Sequence, residues 1–234
     1  MADQLYLSLW FPNFRLQALP TALIGVLRQF AVIAKDGNAD ADLGRIVAAT
    51  AYPIDWTESP TYQRIYEGEG KAFEPETTPL DESPEAQEAQ IESAVLEATV
   101  QLHDDSAYEF EMEWMLWQPK LPGAGPTPVS AWTLEPARVR ITGFGPDFDT
   151  GSYEQNGHIR IDFGTDTPWT FESESLSEPA LSKTAAQRIQ QNVEKLLAFT
   201  LLVEKNCGIS SRLLWTESGE PLAEKLIARL QRLN

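Results

Sequence analysis

Three carboxylates at alternate positions are the first residues in this sequence whose types and spacing could do chemistry. Glu109, Glu111 and Glu113 alternate with large apolar residues in the segment HDDSAYEFEMEWMLWQ. An extended chain places alternate residues on opposite faces, so the pattern predicts a strand with one acidic and one apolar face. Carboxylate oxygens suit Mg²⁺, Mn²⁺ or Ca²⁺, but alternate strand residues stand roughly 6.5–7 Å apart. We therefore expect a solvent-facing acidic row, with a cation site as the alternative.

A second strand-like segment, GHIRIDFG, places one histidine, one arginine and one aspartate on a common face. His158 is suited to proton transfer and Arg160 to holding an anion, so these two and Asp162 are candidate catalytic residues of a polar cleft. Arg138 and Arg140 stand on the same kind of face in the preceding segment. If these strands share a sheet with the glutamate row, cross-strand Arg–Glu pairs are the simpler interpretation.

Two aspartates in a loop rich in glycine and proline are candidate metal ligands. Asp147 and Asp149 flank a phenylalanine, and such a pair can bind a divalent metal. Aspartate is also common in turns because its side chain bonds the local backbone, which is the competing interpretation. The sequence contains no phosphate-binding Gly-Lys-Ser/Thr loop, His-Glu-x-x-His helix or Gly-x-Ser-x-Gly turn. We predict no bound cofactor, with a divalent cation as the alternative.

The negative charge is concentrated in one block. The segment 67–113 holds fifteen acids and one base, Lys71, so it carries −14 of the net charge of −17. Nucleic acids and acidic membrane surfaces are bound by clustered Lys and Arg, so we expect neither as a partner. A basic protein would be attracted to this block.

Composition predicts a globular protein of the cytoplasm. Hydrophobic residues make up 42% of the 234 residues and aromatic residues 10%. The dense apolar run at 196–203 is far shorter than the roughly 20 residues of a membrane-spanning helix. No positive residue precedes the first apolar run, unlike a secretory signal. Cys207 is the only cysteine, so no intrachain disulfide can form, which fits a reducing compartment.

Element patterns predict an α+β protein of two similar subdomains. Each half reads strand, strand, helix, strand, with antiparallel sheets backed by helices, and an internal duplication is one explanation for that order. The predicted strands are 5–11, 45–54, 61–68, 108–117, 137–144, 157–164 and 211–217, and the predicted helices begin near Pro20, Pro84, Ser182 and Leu222. Residues 118–130, rich in Pro and Gly, are the predicted linker between an N-terminal unit (1–117) and a C-terminal unit (131–234).

The sequence leaves two functional hypotheses from different classes. The first is a non-enzymatic cytoplasmic binding protein whose acidic surface engages a basic protein, as an inhibitor, an immunity-type protein or an adaptor would. Its predicted binding surface consists of Glu109, Glu111, Glu113, Trp114 and Trp117, since aromatic residues anchor interfaces. The alternative is an enzyme or small-molecule binder that uses the polar cleft of His158, Arg160, Asp162 and the glutamate row, with or without a divalent metal.

Overall fold

A computed structural model describes five ranges of the chain, 3–35, 43–66, 84–120, 131–170 and 183–218. Within these ranges, strands and helices are interspersed along the chain. The strands are β1 (Gln4–Trp10), β2 (Ile46–Pro53), β3 (Tyr62–Ile65), β4 (Ser106–Lys120), β5 (Ala131–Phe144), β6 (Ile159–Thr165) and β7 (Ser211–Thr216). The helices are α1 (Leu19–Lys35), α2 (Pro84–Ala98), α3 (Ser152–Asn156), α4 (Thr167–Thr170) and α5 (Lys183–Asn206).

The seven described strands form one open antiparallel sheet in the order β3-β2-β4-β5-β6-β1-β7. The mixed α+β class predicted from the sequence is therefore confirmed. The longest pairing joins β4 to β5, from Ala107 opposite Phe144 to Lys120 opposite Ala131. These two long strands form the middle of the sheet and carry most of the polar residues discussed below.

One face of the sheet is covered by helices and forms the main core. On β4 the buried residues are those that alternate with the glutamates: Tyr108, Phe110, Met112 and Trp114, none of them more than 1% exposed. Phe30 of α1 contacts Trp114 with ring centroids 5.2 Å apart, and Phe199 of α5 contacts Phe30 at 5.5 Å. Alternation along the strand thus leaves the glutamates on the opposite face, which these helices do not cover.

Helix α1 is the most apolar helix of the described ranges. The segment Leu16–Lys35 is long and apolar enough to cross a membrane by length and composition. Eight side chains of α1 are nevertheless buried, on the side that faces the sheet and α5. A helix at the centre of a folded core has the same composition, and the packing of α1 identifies it as a core helix.

A buried asparagine ties α5 to the sheet. The Asn192 side-chain amide donates to the carbonyls of Trp117 (2.8 Å) and Pro168 (2.9 Å). Its Oδ1 accepts the Trp117 backbone N–H at 3.0 Å. The Asn192 side chain therefore links α5 to both β4 and α4.

The predicted pair of duplicated subdomains is not confirmed. The N-terminal strand β1 lies between β6 and β7, so the first strand of the chain is part of the sheet region formed by the last strands. The halves also differ in topology, because β2 lies between β3 and β4 whereas β5 lies between β4 and β6. A shared order of elements along the sequence thus produces two different strand arrangements.

Several predicted boundaries shift. Strand β4 continues to Lys120, three residues into the predicted linker 118–130, and β5 begins at Ala131. Two short helices, α3 and α4, lie where the sequence predicts neither a helix nor a strand, because segments of four and five residues are too short to show a helical period. The predicted final helix, the acid-rich stretch 67–83 and positions 121–130 lie outside the described residues, so the division of the chain into 1–117 and 131–234 stays a prediction.

We expect Asn192→Ala to lower the free energy of unfolding by about 2–4 kcal/mol, because it leaves buried polar backbone groups without partners at about 1–3 kcal/mol each. Urea denaturation measures this change. Asn206→Ala is the matched control, since the exposed Asn206 amide donates only to Gln29 (2.7 Å) and should contribute less than about 1 kcal/mol. Equal losses in the two variants would show that Asn192 does not hold these elements together.

Candidate functional site

Charged residues on the uncovered face of the sheet pair across neighbouring strands. Glu111 lies opposite Arg140, and Glu113 lies opposite Arg138. Arg138 contacts both glutamates, with nitrogen–oxygen distances of 3.4 and 3.2 Å, and Arg140 contacts Glu111 at 3.6 Å. Arg140 also reaches Asp162 on the next strand at 3.5 Å. The cross-strand Arg–Glu pairs predicted from the sequence are present.

A cleft of about 530 Å³ opens on this face. Its charged lining consists of Glu109, Glu111, Arg140, Arg160 and Asp162, with Thr142 among them. Its aromatic lining consists of Tyr6, Tyr52 and Trp56. The cleft therefore combines charges of both signs with large ring surfaces, the mixture typical of small-molecule sites.

A small apolar cluster at one end of the uncovered face holds Trp56 in the cleft wall. The Trp56 ring packs edge-on against Phe144 (6.1 Å between centroids) and Phe148 (5.1 Å), and it lies 5.3 Å from Tyr52. Ile54, two residues before Trp56, has a positive φ of 61° and donates its backbone N–H to the Asp105 carbonyl. Loops after β2 and β5 thus build the wall together.

The Tyr6 ring in the cleft wall is held in place by a residue of β7. Tyr6 lies on β1 and packs against Trp215 of β7, with ring centroids 4.6 Å apart and ring planes tilted by 33°. The Trp215 indole N–H donates to the Ser8 hydroxyl at 2.9 Å, which fixes the indole plane. The insertion of β1 between β6 and β7 therefore supplies one aromatic wall of the cleft.

Arg160 is surrounded by rings rather than by carboxylates. The carbon at the centre of its guanidinium lies 5.3 Å from the centroid of Tyr6, 5.6 Å from Trp56 and 5.2 Å from Phe144, which are cation–π distances. Among the described residues its Nε is buried without a hydrogen-bond partner, and no carboxylate oxygen lies within ion-pair distance of it. Burial lowers the pKa of Arg160, with Tyr6 and nearby carboxylates opposing the shift, and arginine remains charged at neutral pH. The guanidinium is thus a cation with unused donors.

Glu109 is a partly buried carboxylate of the cleft. Thr142 donates its hydroxyl to Glu109 Oε2 at 3.4 Å. Burial raises the pKa of Glu109, while Arg140 lowers it and Glu111 raises it further. Thr142 lies opposite Glu109 on one side and opposite Arg160 on the other. Glu109 and Arg160 therefore stand two strands apart, roughly 9.5 Å at the backbone, with the small Thr142 between them.

The structure brings together most, but not all, of the residues predicted for a polar cleft. Arg160, Asp162, Glu109 and Glu111 line the cleft, and Asp162 also accepts the Gly164 backbone N–H at 2.8 Å. Glu113 is paired with Arg138 outside the lining.

His158 lies apart from the cleft. It stacks on Phe14 (4.3 Å) and Tyr153 (4.6 Å), and its Nδ1 accepts the Phe11 backbone N–H at 3.0 Å. Burial lowers the pKa of His158, so the ring is neutral at pH 7 and serves packing. β6 begins only at Ile159, so His158 precedes the strand, and its side chain joins the rings of Phe14, in the loop after β1, and of Tyr153 in α3.

The predicted aromatic part of the binding surface needs correction. Trp114 is 0% exposed and lies in the core on the helix-covered face, because it alternates with Glu113. Trp117 is half-buried, with the Arg188 guanidinium 3.6 Å from its ring centroid. The aromatic residues beside the charged row are instead Tyr6, Tyr52 and Trp56, whose positions become adjacent only through the sheet topology. An alternating pattern in β1 was the one local signal for Tyr6.

The predicted metal ligands take part in loop contacts within the protein. Asp149 accepts the Ser152 hydroxyl at 3.3 Å, and Asp147 donates its backbone N–H to the Asp104 carbonyl at 2.7 Å. Within the described ranges no three His, Cys, Asp or Glu side chains are arranged to hold a metal ion. Burial raises the pKa of Cys207 to about 11, which disfavours a reactive thiolate there.

The chain matches no family model, no curated protein and no solved structure with which it was compared. Functional inference for this fold therefore rests on the geometry and chemistry of the cleft.

We expect the stability contributed by Glu109 to fall as pH rises. Because the folded protein holds the Glu109 proton to higher pH than the unfolded chain does, the folded state loses stability from about pH 4, where an ordinary glutamate titrates, up to the raised pKa. Urea unfolding of the wild type and of Glu109→Gln between pH 4 and 7 measures this difference.

Glu58→Gln, at an exposed loop position, is the control for removing one negative charge. A Glu109 contribution that stayed constant or grew with pH would contradict the buried, destabilised carboxylate. Carbon NMR of the Glu109 carboxyl gives the direction of its pKa shift independently.

Proposed function

We propose that this protein is a binding protein for a small polar molecule, and that the cleft on the uncovered face of the sheet is its ligand site. The observation that carries the proposal is the Arg160 guanidinium, which lies half-buried among three rings with its Nε unpaired. A buried cation without a hydrogen-bonded partner costs stability, so its retention is best explained by a ligand that completes the site.

The dimensions of the cleft agree with this proposal. A volume of about 530 Å³ is within the range of small-molecule sites, which are typically 300–1,000 Å³. The flanking pairs of Arg140 with Glu111 and Asp162 hold their side chains in place without a ligand. A ligand would therefore meet a largely ordered site and lose little affinity to side-chain ordering.

We expect that some members of a library of small polar metabolites raise the melting temperature of the wild-type protein and fail to raise that of Arg160→Met. Methionine fills a similar volume but offers no donors, so binding that depends on the guanidinium is lost. Thermal unfolding measured for each compound provides the test.

Arg212→Met is the matched control. Arg212 pairs with Glu204 of α5 at 2.6 Å and lies opposite Leu9, on the helix-covered side of the sheet, so its loss should leave binding unchanged. If no compound distinguishes wild type from Arg160→Met, or if amide NMR shifts of the hits fall outside the cleft, the proposed site is wrong.

A second candidate function, the engagement of a basic protein, is favoured by the acidic loops at one end of the sheet. Three loops converge there through backbone bonds from Ile54 to Asp105 (2.6 Å), Asp149 to Ile54 (2.8 Å) and Asp147 to Asp104 (2.7 Å). The four aspartate side chains are exposed around Ile54, which is itself 56% exposed. An apolar contact ringed by negative charge is suited to a basic partner.

By contrast, three of the four acids of α2 form ion pairs within the chain. Arg28 contacts Glu88 at 3.8 Å and Glu92 at 3.3 Å, and Arg64 contacts Glu97 at 2.8 Å. The acidic block therefore does not present all its charge to one partner, and the loop end is the part to test.

We expect affinity purification from the native cell at low salt to recover a basic protein that is released at high salt, since rim charges act through screened attraction. Replacing Asp104, Asp105 and Asp147 by Asn should abolish that recovery. Glu88→Gln with Glu92→Gln, on α2, is the control and should not. Recovery that is insensitive to salt, or unchanged in the Asn variant, would remove the second candidate.

A further inference from the structure

We propose that the ligand of the cleft is a zwitterion, a small molecule with a carboxylate held by Arg160 and a protonated amine held by Glu109, the chemistry of a free amino acid. This inference rests on the proposed function, since it assigns a ligand class to the same cleft. Its basis is the arrangement of one unpaired cation and one poorly solvated carboxylate on the two sides of Thr142.

The Arg160 side of the cleft favours a planar anion. The guanidinium has five N–H donors in a fixed fork that matches the two oxygens of a carboxylate. The rings of Tyr6, Trp56 and Phe144 restrict its plane, so less side-chain freedom is lost when a ligand binds. A carboxylate here would satisfy donors that no described side chain satisfies.

The Glu109 side favours a cation. Burial, followed by Glu109 and then Glu111, raises the pKa of the Tyr52 hydroxyl, while Arg140 lowers it, so the two carboxylates stand close enough to act on this ring. The ring of Tyr52 lies 5.3 Å from that of Trp56, so an ammonium group beside Glu109 would have both a carboxylate and aromatic faces as neighbours. A protonated amine would also offset the cost of keeping Glu109 ionised in this poorly solvated position.

Charge balance argues against a purely anionic ligand. The lining contains three carboxylates, Glu109, Glu111 and Asp162, and two guanidiniums, of which Arg140 is already paired with two of the carboxylates. A phosphate dianion would have only Arg160 unengaged and would meet repulsion from Glu109. A purely cationic ligand would meet the same difficulty from Arg160. A molecule carrying one charge of each sign satisfies both sides.

The test compares zwitterions with matched derivatives that lack one charge. The zwitterionic probes are glycine, γ-aminobutyrate, L-leucine, L-phenylalanine and L-arginine, each measured by isothermal titration calorimetry or by amide NMR shifts. Each is then compared with its amide, which lacks the carboxylate, and its N-acetyl form, which lacks the ammonium. We expect at least one zwitterion to bind the wild type about ten- to a hundredfold more tightly than either derivative, the effect of one charged hydrogen bond.

Variants assign each charge of the ligand to a residue. Arg160→Met should remove the discrimination between acid and amide while keeping the discrimination between amine and N-acetyl form. Glu109→Gln should remove the discrimination between amine and N-acetyl form while keeping the discrimination between acid and amide. Arg160→Lys keeps the charge without the fork and should bind with intermediate affinity, and Arg212→Met should match the wild type. Thermal unfolding of every variant confirms that each one is folded.

The outcomes separate this inference from the proposed function. If the amide or the N-acetyl form binds as tightly as its zwitterion, or no zwitterion binds while a metabolite binds in an Arg160-dependent way, the ligand class is wrong and the cleft remains the site. If no zwitterion and no metabolite binds in an Arg160-dependent way, both proposals are overturned.

Discussion

The register of β4 against β5 is the constraint on which the other features of this structure depend. Fourteen residue pairs join the two strands without an irregularity. That register places Glu111 opposite Arg140 and Glu113 opposite Arg138 on one face, and Phe110 and Met112 in the core on the other. A slip of one residue would bury the glutamates and expose the rings, so the apolar core and the polar face fix the same register.

The polar face also shows why Arg160, unlike Arg138 and Arg140, has no carboxylate within ion-pair distance among the described residues. Near the centre of the sheet each arginine has a glutamate or aspartate on an adjacent strand. Arg160 lies opposite Thr142 on β5 and opposite Ser8 on β1, neither of which carries a charge. Its other neighbours are rings supplied by β1, by the loop after β2 and by the last residue of β5. The sheet topology therefore places a cation without a paired carboxylate inside a cleft. The sequence of β6 alone does not indicate this environment.

Much of the fold follows from local patterns in the sequence. The alternation in β4 predicts its two faces correctly, and Pro84 together with the apolar spacing after it predicts α2 from its first residue. The pairing order could not be predicted, because β1 reaches its place between β6 and β7 through contacts more than 150 residues apart in sequence, such as Tyr6 with Asp162. The Arg–Glu pairs and the grouping of Arg160 with Asp162 were predictable, since they need only alternation and neighbouring strands. Tyr52 and Trp56 were not, since Tyr52 reaches the cleft through the pairing of β2 with β4 and Trp56 through the loop after β2.

The same long-range construction explains why no catalytic motif marks this chain. Groups that touch the cleft come from β1, β2, the loop after β2, β4, β5 and β6, so no spacing along the sequence relates them. The residue best suited to proton transfer by type, His158, is held neutral in a ring stack outside the cleft. What remains in the cleft is one cation with unused donors and one poorly solvated carboxylate, held apart by Thr142. Two fixed opposite charges with a gap between them are better suited to holding a molecule that carries both charges than to transforming it, and this favours binding over catalysis.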